Sequence, residues 1–78
     1  MDRTLPDPQM IADHLAQAER HVADAQEQVQ RQREVIAKLK RDGHDARLAN
    51  KLLDNFAALA AAHIADRDRL RGELAKTR

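Results

Sequence analysis

Seventy-eight residues confine the chain to one domain at most. Hydrophobic residues make up 42% of it, but 15 of them are alanines, Phe56 is the single aromatic, and no cysteine is present to staple so thin a core. Charge is dense and balanced, 14 Lys and Arg against 13 Asp and Glu for a net +1, a composition of long helices and coiled coils.

No apolar run approaches the roughly 20 residues that cross a bilayer. The longest, residues 56–62, is short and mostly alanine. Residues 1–8 hold no apolar stretch of the kind a signal peptide needs. The lack of cysteine fits a reducing compartment. The expectation is a soluble, cytoplasmic protein with no membrane association.

Residues 1–7 read as a flexible lead-in, followed by a single helical-hairpin domain over 8–77. Asp7 before Pro8 is a helix start, because the carboxylate caps free backbone N–H groups and proline suits the first helical position. From there Ile11, Leu15, Ala18, Val22, Ala25, Val29, Gln32, Ile36 and Leu39 recur at alternating steps of four and three. That is a heptad seam, and it predicts a helix over about 8–41, roughly 50 Å long at 1.5 Å per residue.

The turn is expected at 42–45. Gly43 can take the left-handed conformation that ends a helix, and Asp45 can cap the next one. Lys38, Lys40 and Arg41 stand at the negative end of the first helix dipole. So short a joint makes the two helices antiparallel neighbours.

The second helix is predicted over about 46–76, with a broader apolar face of Ala49, Leu52, Leu53, Phe56, Leu59, Ala60, Ile64, Leu70 and Leu74. Gly72 lies inside it, at a cost of about 1 kcal/mol against alanine, and marks a place for fraying. Folding about Gly43 and His44 sets Phe56 near Gln32, Ala60 near Gln28 and Leu70 near Ala18. It also brings Arg67, Arg69, Arg71, Lys76 and Arg78 alongside the acidic half of the first helix, which supports the antiparallel pairing although each exposed pair is weak.

Two facing stripes leave the outer part of the broad second face uncovered. A second hairpin would cover it, so the expected fold is an all-α, coiled-coil-like antiparallel hairpin that dimerises into a four-helix bundle. The residues expected at the interface are Leu15, Val22, Val29, Ile36, Leu53, Phe56, Ala60, His63, Ile64, Arg67, Leu70 and Leu74, with Phe56 at the centre.

Enzyme chemistry finds little foothold: the chain has no thiol and no serine, its threonines are Thr4 and Thr77 near the ends, and its two glycines are isolated. A two-helix unit also offers no deep pocket for tuning pKa values. No enzyme, cofactor or metal is expected. The four histidines lack the Glu-x-x-His spacing of di-iron bundles, since Ile11, Ala18, Arg41 and Ala60 stand three residues before them. His63 and Arg67 fall in the apolar face of the second helix. They read as polar seam residues that fix register and partner choice, His63 satisfied by Asp24 or Asp66 and Arg67 paired with Glu19 or Asp24. A sharper reading makes His63 part of a pH-sensitive interface, because imidazoles change charge around neutral pH.

Lys38, Lys40, Arg41, Arg47 and Lys51 cluster about the turn and are the candidate phosphate contacts. A solvated face with dipole compensation is the favoured account, because no aromatics interleave with these residues and nucleic acid is a disfavoured partner.

Three stretches carry a resemblance: Arg31-Gln32-Arg33-Glu34, Arg41-Asp42-Gly43-His44-Asp45, and His63-Ile64-Ala65-Asp66-Arg67-Asp68-Arg69-Leu70. Together they resemble a group of short bacterial proteins of no assigned function with a helix, an Asp-Gly-His-Asp turn and a second helix. The resemblance covers about residues 11–74 and implies a bacterial intracellular hairpin. The functional expectation is a small structural or interaction module whose partner is itself. The alternative is a regulator that binds another protein, antitoxin-like or anti-sigma-like, and a third reading is a nucleic-acid-associated protein using the basic turn.

Overall fold

A computed structural model describes residues 7–77, so the lead-in, apart from Asp7, and Arg78 lie outside it. Two helices, α1 (Pro8–Arg41) and α2 (Arg47–Lys76), pack antiparallel, with no strand among the described residues. The hairpin is a rod of 65 × 17 × 13 Å.

Local chemistry sets each end. Asp7 sits in extended backbone and its Oδ1 accepts the Gln9 N–H at 3.0 Å, with Pro8 at the first helical position. At the other end the Gly43 N–H donates to the Lys40 carbonyl at 3.1 Å and the His44 N–H to the Leu39 carbonyl at 2.8 Å. This is the paired closure of a Schellman motif, and it requires the left-handed residue that Gly43 supplies at φ +75°.

α2 starts at Arg47, one residue later than the sequence predicts, because Ala46 (φ −106°, ψ 10°) is still part of the turn. Asp45 Oδ1 takes the Arg47 N–H at 2.9 Å, while the Arg47 guanidinium reaches back to the same carboxylate at 2.8–3.2 Å. That hydrogen bond holds the Asp45 carboxyl below its ordinary range and raises Arg47. Gly72 does not interrupt the helix, which continues to Lys76. The position is exposed and surrounded by open space, so glycine there loses helix propensity without leaving a packing defect.

The seam of α1 lies where the heptad places it. Ile11, Ala18, Val22, Ala25 and Ile36 are buried, and Leu15, Val29, Gln32 and Leu39 are half-buried. On α2 the matching line is Ala46, Ala49, Leu53, Phe56, Ala60, His63, Arg67, Leu70, Leu74 and Thr77, again in steps of three and four and all at least half-buried. Near the open end Ile11, Ala18 and Leu70 form a cluster, with Leu15 and Leu74 against it. The core is thin. Of the eight buried residues among those described, Ala18, Ala25, Ala46 and Ala60 are alanines, and none of the described side chains is fully enclosed.

Candidate functional site

A heptad seam divides a two-helix rod into two broad faces, one on each side of the contact line. On the first face α1 contributes the line His14, His21, Gln28 and Val35, with Met10, Gln17 and Asp24 outside it. α2 contributes Leu52, Leu59, Asp66 and Glu73, with Leu48 outside it. The two lines run at matching heights. His21 and Asp66 line one shallow groove, and Gln28 and Leu59 line the next. On the opposite face the corresponding groove is formed by Val29, Arg33, Ala57, Ala60, Ala61 and Ile64.

The five large apolar side chains left exposed among the described residues are Met10, Val35, Leu48, Leu52 and Leu59, from 41% exposed at Leu52 to 75% at Leu48. All five fall on the first face by heptad position. Four of them (Val35, Leu48, Leu52 and Leu59) occupy the half nearest the turn, beside the half-buried ring of Phe56. The apolar groups of the opposite face are alanine methyls, such as Ala16, Ala23, Ala57, Ala61 and Ala75, and the half-buried Ile64, set among polar residues such as Glu19, Arg33, Asp54 and Arg71.

Apart from Met10, the half of the first face nearer the open end is largely polar. The His21 and His63 rings lie 5.2 Å apart, tilted by 51°. His63 is half-buried and shares its groove with Asp24. One heptad on, His14 lines the same groove as Asp66 and Arg69. Arg69 bridges two carboxylates, Asp66 at 2.6 Å and Glu73 at 2.8 Å, and both raise its pKa, Asp66 first. Among the described residues no group of three or more His, Asp or Glu side chains converges as a metal site would need.

Arg67 departs from the sequence expectation. Its side chain is 22% exposed, and the guanidinium pairs with the adjacent Asp68 at 3.0 Å rather than with Glu19 or Asp24. Glu19 is held instead by Arg71 at 3.4 Å, the ion pair that crosses between the helices among the described residues. Asp66 is likewise taken by Arg69 rather than by His63.

The residues expected at a dimer interface are first of all the contact between the chain's own helices. Val22, Ile36, Ala60 and Leu70 are buried there, and Leu15, Val29, Leu53, Phe56, His63, Ile64, Arg67 and Leu74 are half-buried. A partner would meet the flanking lines. Met10, Val35 and Leu48 escape the sequence reading altogether, and Leu52 and Leu59 appear in it only as part of a broad apolar face. The signal that finds them is the α2 heptad carried through its small and polar members, Ala46, Ala49, His63 and Arg67. That line moves Leu52 and Leu59 off the seam.

The basic residues about the turn are not gathered onto one surface. Lys38 falls on the first face and pairs with Asp42 at 3.1 Å, while Lys40 and Arg47 fall on the opposite one. Arg41 and Lys51 lie on the outer sides of their helices. Arg47 is committed to Asp45. No helix among the described residues is long and apolar enough to cross a membrane. No protein-family model, curated protein or solved structure matches the chain.

Proposed function

We propose that this hairpin is a non-enzymatic interaction module that self-associates through its first face, giving a dimeric four-helix bundle. The observation that carries the reading is the confinement to that face of all five large apolar side chains exposed among the described residues. Burying such a side chain contributes about 1.5–3 kcal/mol, and a monomeric rod leaves these in water. The thin alanine-rich core adds to the case, since a two-helix unit of this size gains little from its own seam. A second copy supplies the missing cover with surface of the same kind.

The test is absolute mass by light scattering after size exclusion, at several concentrations, for the natural sequence and for the double variant Leu52→Glu, Leu59→Glu. Both leucines are exposed in the hairpin, so the variant keeps its helicity by circular dichroism. The natural chain is expected to run as a dimer and the variant as a monomer. A natural chain that stays monomeric at high concentration sinks the self-association reading and leaves the face to a different protein.

A further inference from the structure

We propose that two hairpins join about a twofold axis parallel to their helices, with both turns at the same end of the bundle. The proposal rests on the self-association above and specifies its geometry. It follows from what each face-to-face symmetry places in contact. Rotation about an axis parallel to the helices exchanges left and right but keeps height. It therefore lays α1 of one protomer over α2 of its partner, level for level. Rotation about an axis across the helices reverses height, and lays α1 over α1 and α2 over α2.

The two lines of the first face match only under the first operation. His21 stands level with Asp66, and Gln28 with Leu59, by heptad count from Ala18, which packs against Leu70, and each pair lines a common groove. One heptad further each way, His14 comes level with Glu73 and Val35 with Leu52. Across the parallel axis these become contacts between protomers. Val35 then packs on Leu52, the aliphatic stem of Gln28 on Leu59, and His21 and His14 meet the carboxylates of Asp66 and Glu73. Arg69 lies between those two carboxylates, so the α2 stretch from Asp66 to Glu73 on this face carries a net negative charge toward the histidines. Apolar surface meets apolar surface near the turn, and donors meet acceptors near the open end.

The crossed axis at mid-length gives the opposite result. It sets Leu52 against Glu73, Leu59 against Asp66 and Val35 against His14, so two carboxylates exchange water for leucine and keep Arg69 as their one shared partner, which is costly. Sliding the hairpins until only their turn halves overlap removes that clash. It also leaves Met10 and the histidine half without cover.

The arrangement is tested by spin-label distances, since the chain has no cysteine to interfere. Labels are placed singly at His44→Cys, in the turn, and at Ala75→Cys, near the open end, both exposed positions. With helix axes 8–10 Å apart, parallel symmetry expects both inter-protomer distances below about 35 Å, label arms included. A dimer in which either distance reaches about 50 Å or more, the length of α1 at 1.5 Å per residue, overturns the geometry while leaving self-association intact. A long His44 distance indicates the full crossed overlay, and a long Ala75 distance the slid one. A monomeric mass for the labelled proteins fails the self-association reading itself, and this proposal with it.

Discussion

The Gln32 side-chain amide donates to the backbone carbonyl of Ala49 across the seam at 2.9 Å, the one side-chain hydrogen bond to the backbone that joins the two helices among the described residues. Gln32 holds a core position of the α1 heptad, between Val29 and Ile36, and so it stands where an apolar residue would pack best. Its bond fixes the height of α1 against α2 as a lone polar residue at a core position does in coiled coils. Gln32→Ala removes the bond and is expected to cost about 0.5–1.5 kcal/mol in urea unfolding. Gln32→Leu is expected to match or exceed the natural stability but to lose uniqueness, visible as broadened amide resonances in NMR spectra. A Leu variant that is clearly less stable would mean the bond contributes more than its geometry suggests.

The two glycines predict opposite outcomes for one substitution. Gly43 sits at φ +75° with nothing within 4 Å of an added Cβ, so Gly43→Ala meets only the dihedral penalty, about 1–2 kcal/mol. Gly72 is helical, exposed and equally open, so Gly72→Ala stabilises by about 0.5–1 kcal/mol. Thermal melts of the two variants should move in opposite directions. A shift of the same sign in both would contradict the assignment of the turn.

Much of this fold is legible in the residues themselves. Asp7-Pro8 and Gly43 mark the limits of α1 because capping and left-handed closure are local, and the α1 seam follows from large aliphatic residues at most of its core positions. The α2 seam is harder to read. Ala46, Ala49, His63, Arg67 and Thr77 occupy half of its line, while Leu52 and Leu59 stand just beside it. A search for large apolar residues therefore merges the seam with the exposed face. The partners of Arg67 and Glu19 are not legible either. Several carboxylates lie within reach of one arginine on a helix surface, and exposed pairs differ by a few tenths of a kcal/mol.

Asp45 gives a prediction in pH. Its carboxyl is held below the ordinary range by the Arg47 guanidinium first and by the Arg47 backbone N–H second. A carboxyl with a depressed folded-state pKa stabilises the fold above its unfolded value, near 3.9, and that contribution fades as pH falls through the folded value. Asp45→Asn keeps an oxygen for the backbone N–H but not the charge. The natural chain should melt slightly higher than the variant at about pH 6, with the gap closing by about pH 2. Full exposure and salt screening keep the gap small. A difference that persists unchanged at low pH would show that the charge is not its source.

Phe56 connects the seam to the exposed face, and its truncation separates the two. Within one hairpin the residue is half-buried and lines a groove with Ala25 and His63 of the seam and with Gln28 and Leu59 of the exposed face. Phe→Ala at a fully buried site costs about 3–5 kcal/mol, and less where the ring already meets water. If a second hairpin covers the first face, the ring is enclosed only in the dimer. The natural chain then melts at higher temperature as concentration rises, because association stabilises the folded state by mass action. Phe56→Ala should lower the melting temperature most at high concentration and flatten that dependence. A loss equal at every concentration would place the ring in the chain's own seam alone, and the apolar face would have to be explained by Leu48, Leu52 and Leu59 without it.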